Sequence, residues 1–212
     1  MEYKGYEVVI TYKRIKRLNA RIREGKILIS APYYTKLSEI ENFINSNSKR
    51  IDKIILNQPK IDNNVMYVWG NKYNIVKIES EEDKIILMED IAYVFYKKDY
   101  LSVIDEYYMK ETLDKLNIIA RKYKDLMLKE NIMFNKIRIK KMKSRWGSCK
   151  VTTKDITINS NLAKYDPICI EYVFCHEIAH IKYPNHSKSF HNFIYTYFKD
   201  EQLARKNLKK YF

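Results

Sequence analysis

The chain has no apolar run approaching eighteen residues, and its N-terminus, MEYKGYEVVITYKRIKR, carries acids and bases where a secretory signal needs an apolar core. The two absences predict a chain with no membrane contact, resident in the cytoplasm. Cysteine is scarce. Cys149, Cys169 and Cys175 are odd in number and lack CxxC spacing, which argues against a disulfide framework or a zinc ribbon and reads as reduced, partly buried thiols. Histidine is nearly as scarce, with four in 212 residues, yet His176, His180, His186 and His191 all fall within sixteen positions. No internal repeat and no low-complexity linker is visible.

What is present can fill a core. Apolar residues make up 46% of the chain. Forty Lys and Arg against 26 Asp and Glu give a net charge of +14, which favours non-specific contact with a polyanion such as nucleic acid. Biased composition gives the same excess without any such partner. Residues 1–100 hold 18 of the bases and 14 of the acids, leaving 22 and 12 for residues 101–212, so the excess is mainly C-terminal.

The pattern predicts an α+β protein: a β-rich region with one helix over residues 1–100, then a second region over 101–212. EVVITY, LNARIRE and KILISAP read as short strands, the last two separated by Gly25. Leu37, Ile40, Phe43, Ile44, Ile51, Ile54 and Ile55 mark a helix running toward Pro59. VMYVWG, KYNIVKI, KIILM and IAYVFY read as further strands in hairpins. Met109, Leu113, Leu116, Ala120, Tyr123 and Met127 recur at steps of four and three, the core face of a long helix. NKIRIKKMK alternates as a strand with one basic face, and DITIN is another short strand. Asp166 and Pro167 read as the cap and first turn of a helix ending near Lys182, and SKSFHNFIYTYF and EQLARKNLKKYF as two short helices.

His176 and His180 are four apart, so on that helix both imidazoles stand over one face and can reach one metal ion. With Glu177 between them this is HExxH, in which two histidines hold zinc and the carboxylate acts as general base toward the water that zinc activates. A catalytic zinc takes three protein ligands and leaves one position to water. His186 is six residues past His180, and Pro184 disfavours helical geometry at Tyr183, so the chain can turn back there. Glu201, 21 residues beyond His180, is the rival third ligand, and His191 reads as a surface or supporting residue. The spacing equals that of metzincins, but Tyr183 replaces their Gly and no methionine follows Met142, so the chain is not one of them.

With SRWGSCK at 144–150, ITINSNL at 156–162, HEIAHIKYPNHSKSF at 176–190 and the basic KRIKRLNARIREGKILISAP near the N-terminus, the chain resembles YgjP-like metal-dependent hydrolases, kin to SprT-like zinc metallopeptidases. The resemblance implies a zincin-like fold for residues 101–212, zinc (Zn2+) held by His176, His180 and His186, Glu177 as catalytic acid and base, and a protein or peptide substrate. The sequence departs from the family pattern at Thr157, where an Asn is usual, and at His191, where a Trp is usual.

Arg145 lies in the resembling RWGSC segment and is the candidate to hold the oxyanion, with a structural ion pair as the other reading. Trp146 and Gly147 read as a tight turn, and Ser148 and Cys149 lack the partners of a nucleophile. The run Lys136, Arg138, Lys140, Lys141, Lys143, Arg145, Lys150 contains no acid; it is either a nucleic-acid contact, as in SprT-like relatives, or a solvated strand face. Two other functions compete with a zinc peptidase. One is a basic nucleic-acid-binding module whose structural zinc is completed by Cys149 or Cys175, and the other is a catalytically idle scaffold.

Overall fold

A computed structural model describes residues 1–23, 26–56 and 64–209. Gly25, Pro59 and the last three positions of the expected final helix lie outside the described residues. The chain is a mixed α+β protein with seven α-helices among the described residues. It divides into two compact units, residues 1–60 and 61–212.

The first unit holds β1 (Glu2–Tyr3), β2 (Tyr6–Lys13), β3 (Asn19–Arg23) and β4 (Lys26–Pro32) in the order β1-β2-β4-β3, with β2 and β4 parallel. Alternation in β4 turns Ile27, Ile29 and Ala31 inward against Ile40, Ile44 and Ile51. The expected single helix is two: α1 (Leu37–Ser46) and α2 (Ser48–Leu56). The break is at Asn47, whose side-chain amide donates to the Phe43 carbonyl at 2.8 Å, alongside its own backbone N–H at 3.1 Å.

The second unit opens with β5 (Val65–Val68), β6 (Asn71–Glu79), β7 (Lys84–Met88) and β8 (Ile91–Tyr96), ordered β5-β6-β8-β7. β5–β6 and β7–β8 are antiparallel hairpins, but β6 and β8 pair in parallel. This is the strand order of the first unit repeated, a likeness that the sequence does not display. Met66, Val68, Ala92 and Val94 share one core with Val103, Ile104 and Tyr108 of the next helix. The sheet therefore packs with the helix that follows it, within the second compact unit, which starts at residue 61.

That helix is α3 (Tyr100–Lys122), continued after Tyr123 by α4 (Lys124–Lys129). Its buried face is Ile104, Tyr108, Thr112, Leu116 and Ile119, whereas Met109 and Leu113 are exposed. The buried stripe is thus rotated from the expected one. Thr112 tolerates burial because its hydroxyl donates to the Ser160 carbonyl at 3.0 Å.

β9 (Lys136–Lys140), β10 (Gly147–Lys150) and β11 (Asp155–Asn159) form a third sheet ordered β10-β11-β9. A 3-10 turn, Ser160–Lys164, leads to α5 (Pro167–Lys182), followed by α6 (Lys188–Tyr197) and α7 (Glu201–Leu208). Ile156 and Ile158 of β11 pack with Ile170, Phe174 and Ile178 of α5, so the third sheet backs onto this helix. No helix among the described residues is long and apolar enough to cross a membrane.

Candidate metal centre

α5 starts where the sequence places it. Asp166 accepts the Ile168 N–H at 2.9 Å, and Pro167 occupies the first turn, where no N–H is needed. Cys169, Ile170, Val173, Phe174, Ile178 and Ala179 anchor the helix in the core, and a neighbouring face carries His176, Glu177 and His180. The helix stops at Tyr183, whose extended backbone (φ −126°, ψ 91°) is the geometry favoured before Pro184. Ser187 then accepts the Phe190 N–H and begins α6. The turn between the helices returns His186 to the face of α5.

Nε2 of His176 lies 3.1 Å from Nε2 of His180 and 3.2 Å from Nε2 of His186. Among the described residues these three are the group of side chains able to hold a metal ion, their ligand atoms all within 4.8 Å of one another. Ligand nitrogens about 2.0–2.1 Å from a tetrahedral zinc stand roughly 3.3 Å apart, so the two separations from His176 are close to the edge length of such a site. Three imidazoles also suit a borderline divalent cation. Tyr183 strengthens the fit: its carbonyl is 3.2 Å from Nδ1 of His180, which places the ring proton there and leaves Nε2 its lone pair.

His176 and His180 are kept neutral. Burial, then His180 and His186, push His176 down to about 3, and burial lowers His180 as well. Nδ1 of His176 is buried without a hydrogen-bond partner among the described residues, so engagement of Nε2 decides which nitrogen carries the proton. Phe190, 1% exposed, packs against all three imidazoles at centroid distances of 4.9, 4.7 and 4.8 Å. Sequence reasoning missed this residue, which lies in the first turn of α6 just past the loop that carries His186.

Glu177 is 5% exposed, and burial pushes its carboxyl up to about 8 against the opposing charge of Arg145. The residue facing it is Gly147: a Cβ built there would lie 2.5 Å from Oε1 of Glu177. Gly147 is the first residue of β10 and not part of a turn, so its lack of a side chain makes room for a carboxylate. Trp146 packs edge-on to Tyr165 at 4.9 Å.

The remaining candidates stand apart from the triad. Glu201 accepts from the Tyr172 hydroxyl at 3.3 Å and pairs with Arg205 at 2.9 Å. His191 stacks on His186 at 6.2 Å from outside. Cys175 is fully buried, with its thiol pushed up to about 12, chiefly by burial. Cys149 is pushed up to about 11 by burial and by the charge of Glu177. Neither sulfur belongs to the metal-binding group, which removes the basis for a structural zinc closed by cysteine. Arg145 is exposed and has no ion-pair partner among the described residues, which disfavours the structural ion-pair reading. In the basic run, Arg138 pairs with Asp155 at 3.6 Å and Lys141 with Asp105 at 2.5 Å.

No curated protein matches the chain. Among solved structures, it is similar to the metallopeptidase zymogen jannalysin of Methanocaldococcus jannaschii, at 29% identity over 46% of this chain and 91% of that one, with a TM-score of 0.36. The sequence profile described as "YgjP-like, metallopeptidase domain" matches residues 16–211, and with nearly the whole chain covered the protein belongs to the YgjP-like family of metallopeptidase domains.

Proposed function

We propose that the protein is a zinc-dependent peptidase of zincin type that cleaves peptide bonds in a protein or peptide substrate. The observation that carries the reading is the convergence of Nε2 of His176, His180 and His186 beside the buried carboxyl of Glu177. A zinc ion bound there supplies positive charge that acidifies a water and polarises the scissile carbonyl.

The residues of the chain do the rest. Glu177, one position along α5 from His176, takes the proton of the attacking water and returns it to the leaving nitrogen. The charge of Arg145 favours the carboxylate that this step needs, against the pull of burial. Arg145 offers guanidinium donors to the developing oxyanion. Phe190 and the Tyr183 carbonyl fix the imidazoles, so the ligands need no reorganisation during turnover.

Metal analysis and hydrolysis of an unfolded protein such as casein, with wild type beside Glu177→Gln, test the reading. Both proteins are expected to hold about one zinc per chain, and the variant to lose hydrolysis. Equal hydrolysis by the two would remove Glu177 from the chemistry. A wild type that binds zinc and cleaves nothing would favour an idle scaffold.

A further inference from the structure

We propose that one end of the sheet in the first unit binds single-stranded nucleic acid, with Tyr33 and Tyr34 as stacking platforms among exposed lysines and arginines.

Topology builds this surface. β4 lies between β2 and β3, so residues 14–18, which join those two strands, must cross about 10 Å past the C-terminal end of β4. Tyr33 and Tyr34 leave β4 at that same end. Lys13, Arg14, Lys16 and Arg17 at the crossing, and Lys36 just beyond the tyrosines, are exposed, and none has an ion-pair partner among the described residues. No acid occurs in the sequence from Val8 to Arg23 or from Ile27 to Ser38. Residues 1–60 hold 13 Lys and Arg against 6 Asp and Glu, so this unit carries +7 of the +14 of the chain.

The tyrosines are not explained by packing. Pro32, Tyr33, Tyr34 and Thr35 form a tight turn, closed by the Thr35 N–H and hydroxyl, which donate to the Pro32 carbonyl at 3.3 and 2.9 Å. Tyr34 takes the third position of the turn at φ 75°, where glycine or asparagine is usual, and is 100% exposed. It therefore carries backbone strain and buries nothing, a combination found where a side chain serves function. Tyr33 is 57% exposed. Of the four exposed tyrosines among the described residues, three gather here, the third being Tyr12, whose hydroxyl donates to the Thr35 carbonyl at 3.5 Å and braces the turn.

The pairing of rings with cations selects the partner. A single strand offers unpaired base faces to stack on the rings and phosphates to meet the cations, whereas a duplex hides the faces and offers the phosphates alone. Contacts of this kind read no particular sequence.

The test is fluorescence anisotropy of the full chain with labelled oligo(dT) and oligo(rU) of about 20 nucleotides and a DNA duplex of equal length, beside co-sedimentation with phosphatidylserine vesicles. At least one single strand is expected to bind about fivefold or more tightly than the duplex, the better of the two showing which sugar is preferred. Asparagine tolerates positive φ, so Tyr34→Asn should melt no lower than wild type, yet bind the single strand about fivefold or more weakly and the duplex unchanged. Arg14→Gln combined with Arg17→Gln should weaken both and reduce the salt slope for the single strand by about 1.4. Equal affinity for strand and duplex, or single-strand binding that Tyr34→Asn leaves intact, would overturn the proposal and leave only diffuse charge. Absence of binding would overturn it too, as would Tyr34-dependent binding to vesicles with none to the oligonucleotides, which would assign the surface to anionic lipid. None of these outcomes touches the peptidase reading, which rests on other residues.

Discussion

The carboxylate of Glu177 lies against the Cα of Gly147, so closely that a side chain there would stand 2.5 Å from Oε1 and 2.8 Å from Cγ. Glu177 is buried, and its neighbours on α5 pack into the core, so it has no free space to retreat into. Gly147→Ala is therefore expected to displace the carboxylate and lower kcat by about a hundredfold or more, with metal content unchanged. Metal analysis beside steady-state kinetics separates this from loss of the ligands. Wild-type kcat in the variant would mean that Glu177 can act from a displaced position.

Gly147 also shows where sequence reading stops. His176 and His180 were legible because their relation is local, one helical turn apart, and His186 because Pro184 enforces a break within reach. The relation of Gly147 to Glu177 joins positions 30 apart through a strand and a helix, and nothing local marks it. The same limit explains α3. Apolar residues occur on two adjoining faces, and only the neighbouring sheet and the Ser160 carbonyl decide that Tyr108 and Thr112 go in while Met109 and Leu113 stay out. The parallel pairing of β2 with β4 and of β6 with β8 is non-local too, and alternation within a strand does not name its partner.

Phe190 supports all three imidazoles from one buried ring. Phe190→Ala removes that support and opens a cavity, so metal-free protein is expected to lose about 3–5 kcal/mol in urea unfolding. Phe190→Leu keeps most of the volume and should retain the fold, while competition with a chromophoric chelator reports weaker zinc binding. Unchanged zinc affinity in the leucine variant would show that the ring does not position the ligands.

Asn159 stands between packing and chemistry. Replacing its amide by Asn159→Ala strands the Met142 N–H and the carbonyls of Met142 and Arg145, at a cost of about 2–4 kcal/mol. Because the amide shapes the loop before Gly147, activity is expected to fall further than stability accounts for. Comparing kcat at a temperature where both proteins are fully folded, as judged by circular dichroism, makes the distinction. Full activity at that temperature would reduce Asn159 to a stabilising residue.

In metal-free protein the two buried groups of the site titrate in opposite senses. His176 is held near pH 3 instead of 6.5, so the unfolded chain takes up a proton first and stability falls as pH drops from 6.5 toward 3. Glu177 is held near 8 instead of 4.5, so the folded protein keeps a proton that the unfolded chain gives up, and stability falls as pH rises from 4.5 toward 8. Between 4.5 and 6.5 the contributions offset, which leaves a flat maximum flanked by two declines. Thermal melts of chelator-treated protein across this range should show Glu177→Gln removing the alkaline decline and His176→Gln the acid one. Zinc adds to the alkaline side, because the ionised carboxyl and the neutral imidazoles are the forms that a cation favours. An alkaline decline that survives in Glu177→Gln would return this carboxyl to its ordinary range and leave burial without the effect assigned to it.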